Sequence, residues 1–194
     1  MAKRLTFPPA PARRNALPLA VRRLVRARVG RSLLVAQGRI VDLGGDLSSV
    51  ADYPPDVRGS VTVLGANPGR LASEIEGLAP FDTVVSMGRL AFDADPDALI
   101  GAIAAGLSPD GRLVFVEPDP GPGTAGRGAS RLWSLAGVDV GTDLTRRLWA
   151  GGMSVLRVRR FSVPTLVLPL RDWVWGTARP ARDSPTHSTG DEAR

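Results

Sequence analysis

The chain is 194 residues long, 43% hydrophobic, with no cysteine, one histidine and a formal net charge of +6. Such a length suits a single core with extensions, and the missing cysteines exclude disulfides, thiolate nucleophiles and cysteine metal sites, while the lone His187 sits in a polar tail. Arg22, Arg23, Arg26, Arg28 and Arg31 break up the only long N-terminal apolar stretch, so no segment reads as a membrane span or a secretory leader, and the reading is cytoplasmic.

Residues 1–16, with Pro8, Pro9, Pro11 and arginine pairs, read as a flexible basic lead. The next segment, 17–37, places Val21, Leu24, Val25, Val29 and Leu33 at helical spacing with arginines between, which predicts an amphipathic helix broken near Gly30. It either covers one face of a sheet or offers a basic surface to an anionic membrane or a protein partner. Residues 1–40 carry ten Lys or Arg and no acid, whereas 41–120 carry four basic and thirteen acidic groups. All basic residues but Lys3 are arginine, stacking aromatics are sparse, and no RNA motif accompanies the charge, so nucleic-acid binding is not favoured.

Ile40 to Leu43 and Ser60 to Leu64 read as short strands, both expected to be buried on two faces. Asn67-Pro68 signals a helix start, followed by a buried stripe of Leu71, Ile75 and Leu78. Phe81 to Met87 is the next strand. Asp95-Pro96 caps a helix through Ile100, Ile103 and Leu107, Gly111 supplies a turn, and Arg112 to Val116 forms a further strand. Asp119 to Ser130 is a Gly and Pro-rich connection with no Lys after its glycines, hence not a P-loop. A helix over Asp143 to Ala150 and strands over Ser154 to Phe161 and Asp172 to Thr177 complete the domain, and 179–194 reads as a disordered tail. The alternation predicts an α/β fold with a mainly parallel, doubly wound sheet.

Phe-Asp-Thr-Val-Val-Ser-Met, Asp95-Pro96 with its helix, and Leu-Ser-Pro-Asp-Gly-Arg-Leu-Val-Phe-Val-Glu-Pro at 107–118 resemble the class I S-adenosylmethionine-dependent methyltransferases of the type-11 kind. Asp143-Leu-Thr-Arg, Gly151-Gly152 and the strand ending Arg160-Phe161 are similar to that family's later helix and antiparallel hairpin. The resemblance spans roughly residues 38–178 and implies a Rossmann-like methyltransferase domain over 17–178. It further implies S-adenosylmethionine as cofactor, no metal, and a small-molecule or lipid-like methyl acceptor.

The same resemblance places cofactor contacts at Asp42 and the turn Gly44, Gly45 and Asp46, at Gly65 and Asn67 after the second strand, and at Ser86 and Met87 ending the Phe81 strand. Here the chain departs from the family. Its first turn has fewer glycines. The acid that would accept from both ribose hydroxyls is replaced by Gly65, with Asn67 as a weaker neutral substitute. The space between Pro68 and Phe81 is too short for the third, edge strand. If each lost hydrogen bond costs roughly 1.5 to 3 kcal/mol, two or three losses weaken cofactor binding by about two to six powers of ten.

Ligands of open α/β sheets bind beyond the carboxyl ends of the strands. Glu117 and Asp119 therefore become candidate general bases, with a solvated loop acid as the other reading of Glu117. Asp42 either meets donor groups of a ligand or caps the turn after it. Two functions follow, a divergent methyltransferase or a non-catalytic protein of the same fold that acts as a binding or regulatory partner.

Overall fold

The computed structural model describes residues 18–44, 47–65, 70–119, 144–165 and 170–181. Gly45, Asp46, Asn67-Pro68, residues 120–143, the expected lead at 1–16 and the tail from Arg182 onward lie outside the described residues.

Helix α1 (Leu19–Val29) continues into a 3-10 turn, Gly30–Val35. The sheet-forming part follows as β1 (Ile40–Asp42), β2 (Val61–Val63), α2 (Leu71–Glu76), β3 (Phe81–Met87), α3 (Pro96–Gly106) and β4 (Leu107–Pro118). After it come α4 (Leu144–Ala150), β5 (Met153–Ser162) and β6 (Asp172–Pro180). The six strands are ordered β2-β1-β3-β4-β6-β5. The first four run parallel, and β6 is antiparallel to both β4 and β5. This is the mainly parallel sheet with a C-terminal antiparallel hairpin that the sequence leads one to expect.

Side chains alternate between two cores because a strand's period is two. Val41, Val84, Leu113 and Phe115 point to the face covered by α2, α3 and α4. Ile40, Val85, Val114 and Val116 point to the opposite face, where Val21, Val25 and Val29 of α1 pack with Tyr53 and Trp173. The apolar stripe of α1 thus covers the sheet, while Arg23 and Arg28 on its other face are exposed. Asp95 caps α3 as expected, its Oδ1 accepting from Ala98 N at 3.0 Å, with Pro96 opening the helix.

The helix of 17–37 changes from α to 3-10 geometry at Gly30, the break expected from the sequence. Three details differ from expectation. Strand β2 is not buried on two faces: Thr62 is exposed and Val63 is 50% exposed. β2 has β1 as its single neighbour and ends the sheet, so its apolar run is an edge. Gly111 lies inside β4 rather than before it, in an irregularity where pairing with β3 jumps from Leu107 to Arg112. Finally, β6 runs to Pro180, and Ala181 N donates to Gly152 O at 2.7 Å, past the expected end of the domain at 178. Among the described residues no helix is long and apolar enough to cross a membrane.

Candidate functional site

The carboxyl ends of β1, β3 and β4 lie side by side in the middle of the sheet. There the sequence places Asp42, Gly44, Ser86, Met87, Glu117 and Asp119, and the fold brings these six to one end of three adjacent strands. Gly65 lies just past β2, one strand further out.

Asp42 is 1% exposed and fully engaged. Its Oδ1 accepts from Gly44 N at 2.9 Å, and its Oδ2 accepts from Ser48 Oγ at 2.8 Å and from Tyr53 Oη at 2.6 Å. The carboxylate therefore closes the loop after β1 upon itself. Of its two sequence readings, the turn cap is the one observed. Burial, reinforced by the charge of Asp42, pushes the Tyr53 hydroxyl far above its ordinary range, so it stays a proton donor. Gly44 has φ +75°, and a Cβ there would stand 2.5 Å from Leu64 O. Glycine is required, since the turn passes against the backbone beyond β2.

Glu117 is also 1% exposed, which overturns its reading as a solvated loop acid. Its position inside β4, paired across to Val174 of β6, puts the side chain under the turn that follows β3. Oε1 accepts from Ser86 Oγ at 2.5 Å, Arg89 N at 3.1 Å and Leu90 N at 3.2 Å, while Oε2 accepts from Ala91 N at 3.1 Å. Burial raises its pKa against the opposing pull of these four donors. Ser86 in turn accepts from Leu90 N at 3.2 Å. Met87 is buried in the α1-side core, and Gly88, at φ +72°, turns the chain out of the strand. Asp119, at the rim, has its carboxylate 2.7 Å from Arg160 Nε of β5.

The described part of the site thus supplies a close backbone turn at Gly44, and its three carboxylates already hold protein partners. No acid stands at the end of β2, where the chain reads Val63-Leu64-Gly65. Toward S-adenosylmethionine the described residues of the first turn offer the backbone at Gly44, and the end of β2 offers no acid to a ribose. Among the described residues no cluster of three or more acids or histidines is placed to hold a metal.

Sequence reasoning missed Ser48 and Tyr53 as partners of Asp42, and Arg89 beside Glu117. The one available signal for Tyr53 is that it is the chain's single tyrosine, set between Asp52 and two prolines. For Arg89 it is a cation inside the acidic central strip.

No family model matches the sequence, and no curated protein matches it. Solved structures do. A SAM-dependent methyltransferase of Thermotoga maritima superposes with TM-score 0.56 at 16% identity, over 82% of this chain and 91% of that one. The N-methyltransferase NodS from Bradyrhizobium japonicum WM9 gives 0.55 at 15% identity, over 84% and 98%. A chain of the complex formed by the Haloferax volcanii Trm112 methyltransferase activator gives 0.54 at 13%, over 84% and 91%. The class that the fold defines is therefore the Rossmann-like class I methyltransferase fold, covering most of the chain. At these identities the likeness concerns the fold.

Proposed function

We propose that this is an S-adenosylmethionine-dependent methyltransferase-like protein of type-11 character whose acceptor is a small or lipid-like molecule. The observation that carries this reading is the placement of Gly44. Left-handed Gly44 lets the chain turn tightly against Leu64 O just past β1, at the carboxyl end of the parallel strands, where ligands of open α/β sheets bind. NodS, solved also in complex with S-adenosylhomocysteine, lends support as a protein of the same fold. Methyl transfer demands little side-chain chemistry, because a sulfonium donor is already activated and the protein's task is alignment and exclusion of water.

In this reading Gly44, Gly45, Asp46, Gly65, Asn67, Ser86 and Met87 surround the cofactor, and Asp42 acts through the turn that it holds. Glu117 positions the turn after β3. The role of base falls to Asp119, which would have to exchange its contact with Arg160 for the acceptor. Calorimetric titration of S-adenosylmethionine is the test. Saturable heat is expected, and no heat at millimolar ligand with a folded sample would sink the reading.

A second reading has its own support: Asp42, Glu117 and Asp119 are all occupied by internal contacts, and β2 ends without an acid. On that basis the protein is a non-catalytic member of the fold, a binding or regulatory partner. Its contact surface is the outer, basic face of α1 with Arg23 and Arg28, both exposed. The double reversal Arg23→Glu, Arg28→Glu leaves the packed valines intact. Association with a protein partner or anionic vesicles that survives it would remove the helix from consideration.

A further inference from the structure

The turn after β3 carries a cation, Arg89. Its Nε and Nη2 are both buried, and among the described residues neither has a hydrogen-bond partner. These two nitrogens carry the N–H groups on one edge of the planar guanidinium, the parallel fork that grips two oxygens of a carboxylate at once. Buried donors in folded proteins are nearly always satisfied, so a whole fork left open inside a protein calls for an explanation. The residue as a whole is only partly buried while these two nitrogens are covered, so an anion meets them when the side chain shifts outward.

The setting is built rather than accidental. Gly88 at φ +72° turns the chain at the end of β3. Glu117 then clamps three successive backbone amides, of Arg89, Leu90 and Ala91, from below. The backbone under Arg89 is therefore fixed. The acid nearest in sequence on the outgoing chain, Asp93, uses Oδ1 to accept from Asp95 N at 3.0 Å and leaves a buried Oδ2 without a partner of its own. Among the described residues no carboxylate closes the Arg89 fork.

We propose that Arg89 anchors a carboxylate-binding subsite at the carboxyl end of β3, and that the molecule this protein accepts carries a carboxylate. A single guanidinium offers one positive charge and one pair of parallel donors, and the surrounding sequence from 41 to 120 is strongly acidic. That balance suits a monoanion with two coplanar oxygens better than a phosphate dianion. The inference rests on the methyltransferase-like reading only in making that molecule the methyl acceptor; the subsite itself stands on Arg89.

The probe is acetate, followed on the full chain through the arginine side-chain Nε–H resonances, with Arg89→Lys used for assignment. The expected result is a saturable shift of the Arg89 signal with acetate, not with chloride at equal ionic strength, and weaker with inorganic phosphate. Arg89→Lys keeps the charge and loses the fork, so its acetate affinity, read from backbone amides of the same turn, should fall by about tenfold or more. An Arg89 signal that does not move in the wild-type chain overturns the proposal whether or not the variant folds. Tighter binding of phosphate than of acetate overturns the assignment to a carboxylate. S-adenosylmethionine heat is measured separately, so loss of the methyltransferase-like reading and loss of this subsite are distinguishable.

Discussion

The hydroxyl of Tyr53 donates a 2.6 Å hydrogen bond to Oδ2 of Asp42, and both residues are 1% exposed. This contact joins the end of β1 to the segment that follows the 3-10 turn Val50–Asp52. It makes the loop after β1 a closed unit, with the carboxylate at its centre. Tyr53→Phe removes the donor and leaves the ring packing. Because the acceptor is a buried acid, the loss should be about 1.5 to 3 kcal/mol, read as a lower urea midpoint with an unchanged m-value. A midpoint equal to the wild type would show that Asp42 does not need this partner.

Gly44→Ala should cost more than an ordinary surface change. The residue is left-handed and its Cβ would meet Leu64 O at 2.5 Å, so strain of about 1 to 3 kcal/mol is expected before any movement of β2. Thermal unfolding measures it. An unchanged Tm would mean that the loop relaxes freely.

Glu117 supplies a pH signature. Its folded pKa is raised by burial, so between the ordinary glutamate value and the folded value the native state holds a proton that the unfolded chain has released. The native state then binds more protons, and stability falls as pH rises through that window. Glu117→Gln should remove this slope, at a cost of about 1 to 3 kcal/mol from facing an amide group toward a backbone donor. Urea melts across the mildly acidic range compare the two, and a slope that survives in the variant would assign it to another group.

Asp95→Ala should lower stability by about 1 kcal/mol through loss of the cap on α3. Arg26→Ala breaks the 2.6 Å pair with Asp52, but those side chains are 41% and 29% exposed, and its effect should stay within about 1 kcal/mol and shrink with added salt. A loss from Arg26→Ala that clearly exceeds that from Asp95→Ala, or that does not shrink with salt, would contradict this reading of an exposed pair.

The elements with local signals were legible. Asp95-Pro96 announced α3, the run from Phe81 to Met87 announced β3, and the shortness of the chain before Phe81 announced a sheet without the third, edge strand. The side-chain contacts at the site were not. Val-Thr-Val reads alike in the middle of a sheet and at its border, since exposure depends on a neighbour that the segment itself does not encode. Glu117 ends a strand as many solvated acids do. Its burial goes with three amides 26 to 28 residues away in the turn after β3. Asp42 caps the first turn, one of the two readings the sequence offered, yet its further grip on Tyr53 depends on how an intervening loop folds back.

The order of the strands has a mechanical consequence. β1 and β2 are three residues each, whereas β4, β5 and β6 are twelve, ten and nine. One half of the sheet is thus a broad, mutually braced plate, and the other is a narrow margin whose outermost strand is held from one side. Local opening follows the weakest cooperative unit. In this molecule that unit adjoins the Gly44 turn, so amide protons of β2 should exchange through openings that leave the β4-β6-β5 plate closed, and the protein can loosen its candidate ligand margin while its core remains folded.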